Sequence, residues 1–596
     1  MVRIKIVGAL SYCQTFLRTS DDSDMVGLAA VDRRAQLASG RVMAFVALCR
    51  KRKMSIAQMR ARRHPLSVRV SRRHAQAGMK LKAAVLSFLV CVTAIAGAAR
   101  GQTVSLQLAA ERPGATIDRH LFGQFAEHLG RGVYEGVWVG PDSAIPNTRG
   151  IRNDVVAALK ELRVPNVRWP GGCFADEYHW RNGLGPLNER RATLNPNWGG
   201  VIEPNTFGTH EFMDFAQQIG AQAYLSVNVG SGTPQEAADW FEYLTTNQPT
   251  ALAKERATNG HPGPYGISFV GIGNESWGCG GSMTPEHYVS QLRIYARYTR
   301  NYNADHPTLK IAVGPDGADT GYTEAVMKAW KERNWSWDIN GLSLHYYTVG
   351  GGWPPKFVAT GFGVNEYATL INHTLRMNQL LRTHGAIMDK YDPEKKIALV
   401  VDEWGAWLAP TPGSKEGFLE QQNSQRDAII AALNINVFAR HADRVRMANI
   451  AQMVNVLQAM ILTDRDKVVL TPTYHVFHMY VPFQDATFLP LTFDAGSYVN
   501  GDIKLPRVDA IAAKGKDGKT WLALTNVDPT RPAQLELTTR AKGATGKILT
   551  APAVDSVNTF EAPSTVMPKL LKVRASGNRI SVSLAPHSVA VIALEE

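Results

Sequence analysis

Ser268-Phe-Val-Gly-Ile-Gly-Asn-Glu275 and Lys396-Ile-Ala-Leu-Val-Val-Asp-Glu403 are two apolar runs that each end in a carboxylate. Short apolar runs that alternate with helical patterns are typical of strands buried on both faces of a parallel sheet. Six more strand candidates have this character: residues 121–128, 164–171, 223–230, 310–314, 340–347 and 444–455. Amphipathic helix candidates lie between strands, at residues 154–162, 210–219, 286–302 and 424–441.

Eight strands with interposed helices predict an α/β fold, a closed (β/α)₈ TIM barrel. The alternative is an open, doubly wound sheet. That alternative is disfavoured because the Gly-x-Gly-x-x-Gly turn expected after the first strand of a dinucleotide-binding sheet is absent.

The pattern changes after about residue 480. Short strand candidates are separated there by Gly, Pro, Asn and Asp, with little helical signal, at residues 521–526, 533–537, 547–549 and 579–584. This pattern predicts an antiparallel β-sandwich of the jelly-roll kind. We therefore divide the chain into a strand segment that joins the sandwich (102–120), a catalytic barrel (121–480) and a sandwich domain (481–596).

The net charge of the 596-residue chain is +13, which would suit a nucleic-acid-binding protein. However, residues 1–100 contain 19 Lys and Arg against 4 Asp, a net charge of +15. The rest of the chain therefore carries a net charge of −2. The charge gives the main part of the chain no reason to bind nucleic acid, and its 45% hydrophobic content excludes wholesale disorder.

Residues 79–101 resemble a secretory signal peptide, with two lysines, an apolar run of about 14 residues and a cleavage site of small residues. The run is too short to span a bilayer, and a buried core helix is the alternative reading. Residues 1–78 contain Arg-rich clusters without a sustained period. They are either a nucleic-acid-binding arm or, as we favour, a non-native or disordered extension upstream of a start at Met79. The protein is thus expected to be periplasmic or secreted, without stable membrane insertion.

In a (β/α)₈ barrel the reactive groups lie at the C-terminal ends of the strands. Glu275 and Glu403 occupy such ends of strands four and seven, and a buried carboxylate is costly unless it has partners or a task. Trp residues flank both, and His and carboxylates are not clustered at metal-ligand spacing. The pattern predicts a sugar site that uses neither metal nor cofactor.

Cleavage of a glycosidic bond needs one carboxylic acid to protonate the leaving oxygen and a second carboxylate at the oxocarbenium-like centre. Glu275 and Glu403 supply such a pair, and Asn274 suits a hydrogen bond to the sugar 2-hydroxyl. Four tryptophans offer apolar faces for sugar C–H groups, although each taken singly is more typical of a core: Trp198, Trp277, Trp404 and Trp407.

Five segments carry a family resemblance: Gly123-Gln-Phe-Ala-Glu-His-Leu-Gly-Arg131, Arg168-Trp-Pro-Gly-Gly-Cys-Phe-Ala-Asp-Glu-Tyr-His-Trp180, Gly273-Asn-Glu-Ser-Trp-Gly-Cys-Gly-Gly281, Gly341-Leu-Ser-Leu-His-Tyr-Tyr347 and Asp402-Glu-Trp404. From about residue 104 to the C-terminus the chain resembles the α-L-arabinofuranosidases of glycoside hydrolase family 51. The resemblance implies an exo-acting, configuration-retaining hydrolase. It would release non-reducing terminal α-L-arabinofuranosyl units from arabinan, arabinoxylan or arabino-oligosaccharides. It also implies a homo-oligomer, often a hexamer.

The resemblance implies that Glu275 is the general acid/base and Glu403 the nucleophile, with their carboxyl groups about 5–5.5 Å apart. It places further residues at the sugar or around the catalytic pair: Glu127, Arg168, Cys173, Trp198, Asn274, His345, Tyr347 and Gln458. For Glu127 the alternative is a structural ion pair with Arg168. Cys173 is implied to be a free thiol, and a disulfide with Cys279 is the alternative in an exported protein.

Three other functions remain open from the sequence. The same site could belong to a β-xylosidase or an endo-glucanase, a barrel of this kind could bind carbohydrate without cleaving it, and the basic N-terminal segment could bind nucleic acid. The presence of both carboxylates and Asn274 argues against a non-catalytic protein. The preferred polymer depends on loops such as residues 180–200 and 349–363.

Overall fold

The computed structural model describes residues 103–595, and the N-terminal segments predicted at 1–78 and 79–101 lie outside them. Eight parallel strands close into a barrel, in which each strand pairs with the next along the chain and strand eight pairs with strand one. In chain order, barrel strands one to eight are Gly123–Phe125, Asn166–Trp169, Gln222–Val227, Ile267–Ile272, Leu309–Ala312, Gly341–Thr348, Ala398–Ala406 and Val445–Ile450. The predicted (β/α)₈ barrel is confirmed.

Ten α-helices lie in the described part of the chain: Asn153–Glu161, Thr209–Ile219, Pro234–Thr245, Ala251–Thr258, Pro285–Tyr298, Thr320–Lys331, Val364–Thr374, Arg376–Tyr391, Gln425–Arg440 and Pro472–Tyr480. Local sequence sets several of their ends. Thr233 and Thr284 each precede a proline, and their hydroxyls accept the N–H of the third helical residue. Gly220, with φ +75°, ends the helix that begins at Thr209.

Side chains from the strands fill the lower part of the barrel. The contacting set in this layer is Tyr224, Phe269, Ile311, Ala398, Val400 and Met447. A second, larger core lies between the barrel and its helices. The filled interior makes the barrel a packed platform, and the C-terminal ends of its strands form the floor of a pocket.

The sandwich consists of two sheets around a core of their own. One sheet has the order Leu491–Thr492, Val104–Leu108, Ala533–Thr538, Arg579–Leu584 and Val573–Ser576. The other has the order Thr487–Leu489, Val508–Lys514, Thr520–Asn526, Ser588–Glu595, Gly543–Leu549 and Lys569–Leu570. The pairing is antiparallel except where Val104–Leu108 runs parallel to Ala533–Thr538. The C-terminal β-sandwich is thus confirmed, with one parallel pair.

The helix Gln425–Arg440 joins the two parts of the fold. Its outer face packs against the sandwich, where Asn436 donates to Asp509 at 2.8 Å and Gln425 donates to the carbonyl of His587 at 2.7 Å. The sequence predicts an amphipathic helix here, but all residues from Gln425 to Ala439 are buried. The sandwich covers the polar face that would otherwise meet water.

Four two-stranded hairpins decorate the barrel and sandwich: Asn147–Thr148 with Ile151–Arg152, Thr193–Asn195 with Val201–Glu203, Ile461–Asp464 with Lys467–Leu470, and Ser497–Asn500 with Ile503–Pro506. The second belongs to the loop after barrel strand two and carries Trp198 in its connection. Among the described residues, no helix has the length and apolar character that crossing a membrane requires.

Candidate active site

Glu275 and Glu403 face each other above the barrel. Glu275 follows strand four in a turn with Gly273 and Asn274, whereas Glu403 lies within strand seven. An oxygen of each carboxylate lies within 4.8 Å of the other. The backbone of Glu275 is left-handed, with φ +34°, a conformation that costs about 1–3 kcal/mol in a non-glycine residue and is concentrated at functional sites.

His345 connects the two carboxylates. It pairs with Glu403 in the register of strands six and seven, and its Nδ1 lies 2.9 Å from Oε1 of Glu275 and 3.5 Å from Oε1 of Glu403. Its Nε2 lies 3.2 Å from Asp402. Burial lowers the pKa of His345, but Glu403, Asp402 and Glu275 together raise it to about 10. The imidazole is therefore a cation whose Nδ1–H donates to Glu275.

Arg168 and Tyr347 hold Glu403 from below and from the side. Arg168 donates to Oε1 of Glu403 at 2.7 Å and to the amide oxygen of Asn274 at 2.7 Å. The hydroxyl of Tyr347 donates to the other oxygen of Glu403 at 2.8 Å. Charge-assisted bonds of this kind fix a carboxylate in one orientation. The amide oxygen of Asn274 is thus used by Arg168, and its amide nitrogen lies 3.8 Å from Sγ of Cys279.

Glu127 is the third carboxylate of the site. Its Oε1 accepts the backbone N–H of Phe174 at 3.0 Å and the indole N–H of Trp198 at 2.9 Å. Its Oε2 accepts the side-chain amide of Gln452 at 3.0 Å. Burial, reinforced by the charge of Glu403, raises the pKa of Glu127 to about 7. The salt bridges of Arg168 go to Asp402 and Glu403, so the ion pair with Glu127 that the sequence allowed is not formed.

Two glycines let the chain pass close to these carboxylates. A methyl group on Gly171 would lie 2.5 Å from Cγ of Glu127, and one on Gly172 would lie 3.1 Å from Oε1 of Glu403. Gly171 also has φ +158°. The Gly-Gly pair after strand two is therefore required by space, since a side chain at Gly171 would displace Glu127.

A cavity of about 820 Å³ opens above the pair. Its polar wall contains Glu127, Glu275, His345 and Glu403, and its apolar wall contains Trp198, Trp277, Tyr347, Trp353 and Trp407. Trp407 packs edge-on against both Tyr347 and Trp353, with ring centroids 5.0 and 4.9 Å away. Because sugars present polar hydroxyls and apolar C–H faces, a pocket with both kinds of wall suits a saccharide.

The charges and burial of the site shift the pKa values of its carboxyl groups in different directions. Burial raises the pKa of Glu275, the charge of Glu403 adds to this, and the hydrogen bond from His345 opposes it. Burial also acts to raise the pKa of Asp402, but Arg168 and His345 hold it below its ordinary value. Burial thus favours the protonated form of Glu275, which is the form that a general acid needs.

The structure brings most of the predicted site residues together. Around the cavity lie Glu275, Glu403, Glu127, Cys173, Trp198, His345 and Tyr347, with Arg168 and Asn274 directly behind them. Gln458 is not brought to the cavity, because its amide donates to the buried Asp427 at 3.1 Å. Strand eight ends at Ile450 rather than at residue 455, and Gln452, which lines the cavity, donates to Glu127. Trp404 is fully buried between Phe438 and Phe477 and is a core residue.

Cys173 is not a free thiol. It forms a disulfide with Cys279, with an S–S distance of 2.07 Å and Cα atoms 5.5 Å apart. The turns after strands two and four meet above the barrel, which brings together two cysteines that are 106 residues apart in the chain. Sulfur still lines the cavity at this point.

Sequence reasoning missed several supporting residues. Tyr224 donates to Asp402 at 2.7 Å, and Asp176 accepts the backbone N–H of Asn274 at 3.1 Å. Asp176 and Asp402 stand within or beside apolar sequence, a signal that could have singled them out. Trp353 lies in the loop after strand six, where no periodic pattern exists to place a side chain.

The fold and the paired carboxylates define the class of the protein, a (β/α)₈-barrel glycoside hydrolase. Two family models match the chain, the Alpha-L-arabinofuranosidase 1 domain over residues 158–348 and the Alpha-L-arabinofuranosidase C-terminal domain over residues 402–588. The crystal structure of the GH51 arabinofuranosidase from Xanthomonas axonopodis pv. citri is 51% identical with a TM-score of 0.81, covering 83% of this chain and all of that one. The chain belongs to the α-L-arabinofuranosidases of glycoside hydrolase family 51.

Two curated relatives agree. The intracellular exo-alpha-L-arabinofuranosidase of Bacteroides ovatus is 44% identical over 522 residues, 87% of this chain and 100% of the relative. The probable alpha-L-arabinofuranosidase C of Aspergillus fumigatus is 30% identical over 464 residues, 75% of this chain and 88% of the relative. The predicted periplasmic or secreted location is wrong, because the Bacteroides relative is named intracellular. The export signal on which that prediction depended lies outside the described residues.

Proposed function

We propose that this glycoside hydrolase releases non-reducing terminal α-L-arabinofuranosyl units by a double displacement that retains the anomeric configuration. The observation that carries the proposal is the approach of Glu275 and Glu403, whose nearest oxygens lie within 4.8 Å. Retaining glycosidases hold their carboxyl groups about 5–5.5 Å apart, whereas inverting enzymes leave about 6.5–9.5 Å for a water molecule.

In the first step, Glu275 donates its proton to the glycosidic oxygen while a carboxylate oxygen of Glu403 attacks C1. The C1–O bond to the leaving alcohol breaks, and an ester between C1 and Glu403 forms. The raised pKa of Glu275 keeps the proton available, and the imidazolium of His345 orients that carboxyl. Arg168 and Tyr347 aim Glu403 and stabilise its charge.

In the second step, Glu275 is an anion and takes a proton from water as the water oxygen attacks C1. The ester bond to Glu403 breaks, arabinose leaves with its original anomeric configuration, and Glu275 regains its proton. The change in charge at Glu275 between the steps is balanced by His345, whose imidazole N–H donates to that carboxyl group.

The sugar itself is bound by the groups around the pair. Glu127 has one oxygen shared between Phe174 and Trp198, and its position in the cavity wall suits sugar hydroxyls. Asn274 suits the 2-hydroxyl, a contact that strengthens in the transition state. We assign to Gln452, which holds Glu127, the place that the resemblance implied for Gln458. Cys173 contributes to the cavity wall as half of its disulfide.

The loops after strands two and six support exo action. The first brings Trp198 over Glu127, and the second brings Trp353, with 66% of its surface exposed, to the rim of the cavity. The cavity is thus deep at the catalytic pair and aromatic at its mouth. A terminal arabinofuranosyl unit enters, and the rest of an arabinan, arabinoxylan or arabino-oligosaccharide chain lies over the rim.

NMR analysis of the first product tests the proposal. With arabinan and arabinoxylan as substrates, we expect free L-arabinose to appear first as the α-furanose and only later to mutarotate, and we expect the main chains to keep their length. Initial formation of the β-anomer would contradict retention. Early fall in polymer length without free arabinose would contradict exo action.

We also propose the division of the chain at about residue 480 into a catalytic barrel and a sandwich that includes residues 102–120. We further propose a homo-oligomeric state, such as a hexamer. The division is supported by the separate core of the sandwich. The oligomer is supported by the family resemblance. Native mass spectrometry of the full chain tests the oligomer, since a monomer at micromolar concentration would contradict it.

A further inference from the structure

Two sulfur atoms lie beside the proposed acid/base. Cys173 begins the short helical turn Cys173–Asp176 after strand two, and Cys279 lies in the turn after strand four. Sγ of Cys279 is 3.6 Å from Oε2 of Glu275 and 3.8 Å from the side-chain nitrogen of Asn274. Cys279 is exposed and Cys173 is partly exposed, so small solutes in the cavity can reach the disulfide.

We propose that reduction of the Cys173–Cys279 disulfide creates a binding site for a thiophilic divalent cation, such as Zn²⁺ or Cd²⁺, on Cys173, Cys279 and Glu275. One ligand atom from each of the three residues lies within 4.8 Å of the other two. Two thiolates and a carboxylate are a donor set that Zn²⁺ accepts, with bonds of about 2.0–2.3 Å, and the cavity leaves a fourth position open to water.

The chemistry needs a reductant, for which a small dithiol suffices. Its two S–H groups are oxidised to a cyclic disulfide while the S–S bond between Cys173 and Cys279 breaks and two protein thiols form. The cation then displaces the two thiol protons and the carboxyl proton of Glu275 into the buffer, and two metal–sulfur bonds and one metal–oxygen bond form. In the oxidised protein the sulfur atoms carry no thiolate charge, so the site exists only after reduction.

Binding of the cation has a functional consequence, which rests on the function proposed above. A carboxylate that ligates a metal ion cannot carry the proton for the leaving group. Activity toward arabinosides of poor leaving groups is therefore expected to fall by about 100-fold or more on saturation, the usual contribution of general acid catalysis. The metal site itself stands on the positions of the three side chains and does not depend on that consequence.

The experiment uses the full chain with Cd²⁺ as the probe. The protein is reduced with a dithiol, freed of it by anaerobic gel filtration and titrated with Cd²⁺, with the ultraviolet thiolate-to-cadmium band as the readout. Because the chain also contains Cys13, Cys49 and Cys91, a variant with all three changed to serine isolates the pair. Cys279→Ser is the matched loss-of-site variant, and thiol counting by mass spectrometry confirms each redox state.

We expect the reduced triple-serine variant to bind one Cd²⁺ per chain with the thiolate band, and a chelator to reverse this. The oxidised protein and Cys279→Ser should lack the band, and Glu275→Gln should keep it with weaker binding. A band of equal strength in Cys279→Ser, or none in the reduced protein, would overturn the site. A normal band without loss of activity would support the site and contradict the role proposed for Glu275.

Discussion

Nδ1 of His345 lies 2.9 Å from Oε1 of Glu275, so a cationic imidazole donates to the carboxyl group that we assign as the acid/base. The same nitrogen lies 3.5 Å from Glu403, and Nε2 is held by Asp402. In the proposed mechanism, His345 thus stabilises the anion of Glu275 between the two chemical steps. Burial works in the opposite direction and raises the pKa of Glu275. The proposed catalytic cycle depends on these two opposing effects on the pKa of Glu275.

Replacement of His345 by Gln tests its effect on the pKa of Glu275 through the pH dependence of kcat/KM. The charged groups that face Glu275 are His345, Glu403 and Arg168, and the bond from His345 lowers its pKa. Loss of the imidazolium should therefore raise the pKa of Glu275 further. Activity that needs protonated Glu275 is present below that pKa and lost above it, so the basic limb of kcat/KM should move to higher pH.

The control for this variant is His179→Gln, at an exposed histidine paired with Glu236. It should leave the profile unchanged. A basic limb that stays in place or moves to lower pH in His345→Gln would show that His345 does not act on Glu275.

Replacement of Glu275 by Ala should separate substrates by their leaving groups. Natural arabinosides need protonation and should lose about 100-fold or more in kcat/KM, whereas an aryl arabinoside with a very acidic phenol should lose far less. Azide, which attacks without a general base, should speed turnover of the aryl substrate. Exposed Glu286 provides the control Glu286→Ala. Equal losses on both substrates with no response to azide would count against the assignment.

Replacement of Gly171 by Ala tests the close approach of the chain to Glu127. The added methyl group would lie 2.5 Å from Cγ of Glu127 and must displace it. Misplacement of about 1 Å in an active site costs about 100-fold, so we expect a loss of that order in kcat/KM. Gly263, around which space is open, provides the control Gly263→Ala. Steady-state kinetics with circular dichroism would reveal the difference, and full activity in Gly171→Ala would refute the argument.

Replacement of Trp353 by Ala tests the rim of the cavity. Loss of one aromatic face is worth about 0.5–1.5 kcal/mol, which corresponds to a roughly 2- to 12-fold rise in KM. The rise should occur with arabino-oligosaccharides and not with a small aryl arabinoside, whose leaving group does not extend to the rim. Trp335, 87% exposed and outside the cavity wall, provides the control Trp335→Ala. An equal rise in KM for both substrates would show that Trp353 does not act on the part of the substrate beyond the terminal sugar.

The strand pattern alone located the two central carboxylates, because barrel geometry brings every strand end to one rim. It did not show which of Gln452 and Gln458 reaches the site. The end of strand eight depends on where backbone pairing stops, which is at Ile450. Similarly, Trp404 and Trp407 look alike in sequence. Trp404 is buried on strand seven against Phe438, whereas Trp407 follows the strand and reaches the cavity.

Other features needed the folded chain because they join distant segments. The sequence contains no local signal that Cys173 and Cys279, 106 residues apart, meet in the fold. The burial of the helix Gln425–Arg440 on all sides depends on sandwich strands that lie more than 60 residues later in the chain, such as Val508–Lys514 and Ser588–Glu595. The hydrophobic periodicity of a helix predicts which face packs against its own layer. It does not predict whether a second layer covers the opposite face.

The covalent intermediate is the most direct test of the account. Glu275→Ala, incubated with an arabinofuranoside of an activated phenol and quenched in acid, should accumulate a chain heavier by one dehydrated pentose. Peptide mapping by tandem mass spectrometry should place that pentose on Glu403. A pentose on another residue, or turnover without any adduct and with inverted product, would contradict the double displacement at Glu403.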